Sequence, residues 1–288
     1  MKTHVLGLYL LASLFACQSK TANQGLAGGK MIYQPEDKEI LEQVIERYSA
    51  DKEAPMSTLM IEVGRFFLGT PYVAHTLETA DEQLVINLRE MDCTTFAENC
   101  LAISRTIKNE HQTFEQFTAE LQRIRYRDGI IDGYPSRLHY FCDWIYDNQQ
   151  KHLIADLSEG IANTPLPKQI NFMSNHPDSY MQLKDSAQLI GQLAAQEKEI
   201  SGRKMYYIPE NLIAEMEDQL MDGDIAGITT GIDGLAIQHV VLLIRQDGHI
   251  HLLHASSKAE RVVVSDLTLE QYLLNSESAT GIMLARPI

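Results

Sequence analysis

The run Met91-Asp92-Cys93-Thr94-Thr95-Phe96-Ala97-Glu98 places a cysteine where a helix should begin. Phe96, Cys100, Ile103 and Ile107 follow at helical spacing and form one apolar stripe. The first N–H groups of a helix lack internal partners and the helix dipole adds positive charge, so a thiolate at that point is stabilised. Asp92 and Thr94 are both capping residue types, and the carboxylate of Asp92 works against a lowered thiol pKa. By type alone, a cysteine is more often a small buried residue than a nucleophile. A thiol nucleophile also needs a base that takes its proton and later protonates the leaving amine, and histidine does both near neutral pH. His239 opens the apolar run Val240-Val241-Leu242-Leu243-Ile244, which reads as a buried strand. A third polar group on a neighbouring strand would orient the imidazole. Within Leu252-Leu253-His254-Ala255-Ser256, His254 is the leading candidate. Strand alternation sets Ile250, Leu252 and His254 on one face and His249, His251 and Leu253 on the other, so a different register would bring His251 instead.

These residues need elements to hold them. Ile40, Leu41, Val44, Ile45 and Tyr48 form a helical stripe after Pro35, and Leu59, Val63, Phe66 and Phe67 form another that Gly69-Thr70-Pro71 ends. The Cys93 helix comes next, and Thr113 opens a further one through Phe117, Leu121 and Ile124. Residues 126–148 crowd aromatic, charged and amide side chains around two glycines and a proline, a composition common on ligand-binding surfaces, before a helix expected over His139–Asp147. Beyond Ser201 the period becomes two, with strands expected over 204–208, 224–229, 236–244, 249–255, 261–264 and 281–285. Asp247-Gly248 supplies a tight turn between two of them, so the two histidines should lie on paired antiparallel strands.

The chain has 288 residues, 44% hydrophobic and 22% charged, enough for a substantial core. Its formal net charge of −15 makes it a poor nucleic-acid binder. Residues 1–16 read as an export signal, too short to span a bilayer as a permanent helix. Leu14-Phe15-Ala16-Cys17 resembles the lipobox of bacterial lipoproteins, which implies lipid on Cys17. A polar tether over 17–29 and one catalytic domain over 30–288 complete the organisation. The expected location is a bacterial membrane, with the domain facing the periplasm. Lipidation of Cys17 would leave Cys93, Cys100 and Cys142, an odd number, so at least one thiol is unpaired. Cys93 and Cys100 are about 10.5 Å apart along a helix axis, too far for a disulfide.

Asp-Cys-Thr at a helix start, a later strand beginning His-Val and a following strand ending His-Ala-Ser resemble the NlpC-type papain-like cell-wall hydrolases. The resemblance implies an α+β fold whose helical N-terminal half carries the nucleophile at a helix N-terminus, packed on a C-terminal antiparallel sheet. It implies Cys93 as nucleophile, His239 as base and His254 as orienter, with His251 the runner-up. Gly69-Thr70-Pro71-Tyr72-Val73 matches the Gly-x-Pro-Tyr segment of that superfamily, implying that Tyr72 packs beside the cysteine and helps to hold an oxyanion.

More narrowly, residues 69–78, 91–98 and 125–144 look like an N-acetylmuramoyl-L-alanine amidase subgroup. His75 stands where a glycine is expected there, at the rim of the pocket. Tyr134, Ser136, Arg137 and His139, with His75, are the candidate substrate-binding residues. The implied reaction cleaves the amide between (1,6-anhydro-)N-acetylmuramic acid and L-Ala of muropeptides through a thioester, with no metal or cofactor. Three alternatives carry different outcomes: a γ-D-glutamyl-diamino-acid endopeptidase, an inactive muropeptide-binding lipoprotein, and a zinc site from His249-x-His251.

Overall fold

The computed structural model describes residues 31–288. The signal over 1–16, Cys17 and the tether over 17–29 lie outside the described residues. The N-terminal half is mainly helical: α1 (Pro35–Tyr48), α2 (Met56–Phe66), α3 (Cys93–Lys108), α4 (Phe114–Arg125) and α5 (Phe141–Gln150). Beside them, β1 (Met31–Ile32) pairs in parallel with β2 (Leu84–Val85). Strands β3 (Ile154–Asp156) and β4 (Thr164–Pro165) and helices α6 (Ser158–Ala162), α7 (Phe172–Asn175) and α8 (Ala187–Ser201) follow. They span residues 154–201, a stretch in which the sequence reading assigns no element. The C-terminal part contributes β5 (Tyr206–Pro209), α9 (Ile213–Met216), β6 (Ile225–Thr230), β7 (Ile237–Gln246), β8 (His249–Ser256), β9 (Arg261–Thr268), α10 (Leu269–Leu274) and β10 (Ala279–Pro287).

The main sheet runs β4-β5-β10-β6-β7-β8-β9, with β3 also paired to β10. Every pairing in it is antiparallel. The chain is therefore α+β, with a helical N-terminal half against a C-terminal antiparallel sheet. Both faces of the sheet are covered. Leu242, Ile244, Leu253 and Ala255 join the core shared with α1 to α5. Val241, Leu243, Ile250 and Leu252 join a second core closed by Ile213, Leu269 and Leu273. Burial on both faces explains why β7 reads as an unbroken apolar run instead of alternating.

The β7–β8 hairpin turns on two residues, since Gln246 pairs with His249. Asp247 has φ 50° and Gly248 has φ 88°, the left-handed pair that such a turn requires. Leu242 opposite Leu253 then fixes the register. A one-residue slip would turn every side chain of β8 to the wrong face.

Helix α3 is the centre of the helical layer. Its apolar stripe is fully buried, and so are Glu98, Asn99, Ser104 and Thr106 on its other sides. The expected one-sided helix is thus enclosed nearly all round. Glu98 is tolerated there because the Arg125 guanidinium lies 2.6 Å from its carboxylate, with both side chains 2% exposed.

Candidate active site

Cys93 is the first residue of α3, and Asp92 caps that helix. The Asp92 carboxylate accepts the Thr95 N–H at 2.8 Å, and the Thr95 hydroxyl accepts the Asp92 N–H at 2.9 Å. This reciprocal pair selects Asp92 over Thr94 as the cap. The Tyr72 segment is laced alongside: the Met91 N–H donates to Pro71 O at 3.0 Å and the Val73 N–H donates to Met91 O at 3.1 Å. Tyr72 is half-buried, and burial followed by the nearby Cys93 thiol raises its pKa, so its hydroxyl keeps its proton.

His239 lies near the start of β7, opposite Ile228, where a bulge shifts the register of β6. His239 Nε2 and His254 Nδ1 are 2.6 Å apart. The hydrogen bond requires a proton on one of these nitrogens. With that proton on His239 Nε2, the lone pair of His239 Nδ1 is free to act as a base. His251 faces elsewhere, its Nδ1 lying 2.9 Å from the Ser265 carbonyl. The register left open by strand alternation is therefore settled in space: His254 meets His239, and His251 does not.

Cys93, Thr94, His139, Phe141, Gln238 and His239 are among the walls of one cleft of about 90 Å³. Burial pushes the Cys93 thiol up to about 11, and the Asp92 carboxylate adds to the rise. The backbone N–H of Val240 and the hydroxyl and backbone N–H of Thr94 act the other way but do not prevail. Burial holds His239 down to about 3, helped by its neighbour His254, and holds His254 down to about 4. The resting pair is a neutral thiol and a neutral imidazole. The expected stabilisation of a thiolate by the helix terminus is outweighed by burial and by the Asp92 carboxylate.

The segment over 126–139 meets the cleft only at its last residue, His139, and its side chains divide sharply. His139 Nε2 lies 2.9 Å from the Tyr134 carbonyl, which can only accept, so Nε2 carries the proton and Nδ1 is an acceptor. Burial, then the Arg137 charge, hold His139 down to about 3, so the ring stays neutral. Tyr134 is buried, with its ring centroid 4.3 Å from that of His139. Arg137 is 5% exposed and paired with Glu78 at 2.9 Å and Glu82 at 3.4 Å. The Ser136 hydroxyl donates to Gly133 O at 2.7 Å and accepts the Asp132 N–H at 3.0 Å. Of the five residues expected to read substrate, only His139 is among those lining the cleft. Ser136 and Arg137 are turned inward because their polar atoms have partners within the protein.

His75 is exposed and has φ 63°, a left-handed conformation that accounts for the glycine expected there. The candidate zinc pair diverges as well, since His249 Nδ1 lies 3.3 Å from Glu217 while His251 turns to Ser265. Among the described residues, no group of three or more metal-ligating side chains converges.

Residues 62–282 match the AmiA-like family, described as N-acetylmuramoyl-L-alanine amidase-like. The chain belongs to that family. Its fold is similar to an N-acetylmuramoyl-L-alanine amidase from Bacteroides uniformis, with 38% identity, TM-score 0.78, and coverage of 81% of this chain and 98% of that one. A protein from Bacteroides fragilis with a provisional xylanase designation is 40% identical, with TM-score 0.75 over 78% of this chain and 99% of that one. A protein from Legionella pneumophila shares the fold at TM-score 0.65 and 20% identity, covering 88% of this chain and 95% of that one. No curated protein matches the chain.

Residues that pattern reasoning missed also line or flank the cleft. Phe141 and Cys142 line the cleft from the start of α5, and Gln238 lines it from β7 with its Oε1 accepting the Ser278 hydroxyl at 2.7 Å. Tyr272 packs behind the two histidines from α10. Thr268 and Gln271, a capping pair ahead of Leu273, were the local signal for that helix.

Proposed function

We propose that this chain is a cysteine-dependent cell-wall amidase of papain-like, NlpC-type fold. It cleaves the amide between the lactyl group of N-acetylmuramic acid, including the 1,6-anhydro form, and L-Ala of muropeptides. The observation that carries the reading is the 2.6 Å contact between His239 and His254 beside a cleft shared with Cys93, in a chain of the amidase-like family. Because thiol and imidazole are both neutral at rest, His239 takes the proton as Cys93 attacks the carbonyl carbon. The C–S bond forms as the carbonyl π electrons move to oxygen. The Cys93 backbone N–H and the Tyr72 hydroxyl receive that oxyanion, a kind of contact worth about 3 kcal/mol. Collapse expels the L-Ala nitrogen, which takes the proton from His239 and leaves a thioester that water hydrolyses.

The residues lining the cleft include no aspartate or glutamate. Glycoside hydrolysis uses a flanking carboxylate pair, so the cleft favours amide over glycosidic chemistry. His139 offers a fixed acceptor for an N–H or O–H of the substrate. Export and a lipid anchor at Cys17 belong to the same proposal and put the enzyme on a bacterial membrane, facing the periplasm. Membrane fractionation of the Cys17→Ala chain tests that part.

Cys93→Ala should lower turnover of muropeptides by roughly 10⁴-fold or more while leaving the thermal transition in place. Mass spectrometry of the unsubstituted enzyme's products should show the free sugar acid and an intact peptide. A shortened glycopeptide would instead identify a γ-D-glutamyl endopeptidase. Turnover by Cys93→Ala would end the nucleophile assignment.

A further inference from the structure

An aromatic side chain that does not line the cleft, Tyr272, stands beside both histidines. Helix α10 is only six residues long, yet it is firmly placed. The Thr268 hydroxyl accepts the Gln271 N–H at 3.2 Å, the Gln271 amide oxygen accepts the Thr268 N–H at 3.2 Å, and Leu269 and Leu273 are buried in the second core. Tyr272 between them turns its ring to the histidines. Its centroid is 6.5 Å from that of His239 with planes 20° apart, and 6.0 Å from that of His254 at 88°. The imidazoles themselves are 4.9 Å apart at 75°, so the three rings form one cluster.

A hydrogen bond between two neutral imidazoles is exposed to competition. Water reaching either ring offers alternative donors and acceptors and solvates the protonated form. An aromatic lid removes that competitor, and its face and edge constrain how the imidazoles rotate. We propose that Tyr272 is a positioning residue whose ring keeps water from the His239–His254 hydrogen bond and so holds His239 in the orientation that serves Cys93. The inference deepens the cysteine–histidine reading above and rests on it for its effect on turnover. Cys93 from α3 and Tyr272 from α10 are titratable side chains beside the pair. Burial is the leading cause of the depression of both imidazoles, and for His239 the neighbouring His254 adds to it. Burial and the nearby Cys93 thiol raise the Tyr272 pKa, so its hydroxyl stays neutral beside them.

The test compares Tyr272→Phe with Tyr272→Ala. The phenylalanine variant keeps the ring and should keep kcat and the pH profile within about twofold. The alanine variant should lose about tenfold in kcat at nearly constant KM. The acid limb of its kcat/KM profile should move to higher pH, because imidazoles reached by water return toward their ordinary value. NMR titration of both imidazoles in a Cys93→Ala background reads the shield without any turnover, so it stands or falls separately from the nucleophile assignment. There, adding Tyr272→Ala should raise the two midpoints by about one unit or more. Unchanged midpoints would overturn the proposal, whatever happens to kcat. Should Tyr272→Ala fail to fold, Tyr272→Gln, which keeps bulk but brings a polar group, should show the same upward movement.

Discussion

The site stands between two structural walls, one carrying Cys93, His239 and His254 and the other ending at His139, and they are built in different ways. Cys93, His239 and His254 are placed by main-chain devices close to them in sequence: a helix cap at Asp92, a two-residue turn at 247–248, and the register that follows from it. The segment over 126–139 is placed by charges from far along the chain. Arg137 reaches Glu78 and Glu82, Arg125 reaches Glu98, and Arg127 shares Asp143 with Arg203. Local hydrogen bonds can aim three side chains because helix and strand geometry does the rest. An irregular segment has no such geometry, and buried ion pairs, which add little net stability, supply it by penalising every arrangement that leaves a charge alone. The contrast predicts that substitutions on the first wall change the rate and those on the second change stability.

The largest expected effect is on the first wall. His254→Ala should lower kcat by about 10³-fold, because the neutral imidazole of His239 loses the partner that fixes its tautomer and direction. His251→Ala, one strand face away, should leave kcat within about twofold. The reverse ranking would reassign the orienter to His251. Thermal unfolding of both variants should stay close to that of the unsubstituted protein, which keeps the effect on the catalytic side of the comparison.

Arg137 tests the other wall. Replacing it with methionine leaves Glu78 and Glu82 without their counter-charge in a largely buried place, and burial already raises the Glu82 pKa. Breaking a buried pair from one side costs about 3–5 kcal/mol. Urea unfolding should show a loss of that size, and adding Glu82→Gln should recover part of it by removing one stranded charge. A variant with intact stability and a raised KM would show that Arg137 touches substrate after all, as its sequence context first suggested.

Legibility followed the same division. The start of α3, the hairpin, and strands β6 to β8 and β10 were readable within one or two residues, because capping, turn chemistry and alternation act over a few positions. The choice between His254 and His251 needed the register, which only the folded hairpin supplies. The protonation state of Cys93 was misjudged, since a helix N-terminus is visible in sequence while the burial that outweighs it is not. Arg137 and Ser136 looked like binding residues for a similar reason. Their types suit a ligand, but Arg137's partner Glu78 is 59 residues away. Helix α8 went unread, although its Glu197 carboxylate accepts the Tyr140 hydroxyl at 2.6 Å and so helps to fix the end of the 126–139 segment.

The smallest effect is expected at the exposed turn that His75 holds. His75 holds φ 63°, and its carbonyl accepts the Glu78 N–H at 3.2 Å, closing the turn that delivers Glu78 to Arg137. A left-handed L-residue costs roughly 1–2 kcal/mol, and glycine avoids this at about 0.5–1 kcal/mol of lost chain freedom. His75→Gly should therefore stabilise the protein by up to about 1 kcal/mol, read as a higher urea midpoint at an unchanged slope. Its effect on KM separates the backbone from the side chain. If KM holds while the midpoint rises, the rim needs only the turn, and histidine is a tolerated occupant of a glycine position. If KM rises, the imidazole is a contact, and the strained backbone is the cost of placing it against substrate.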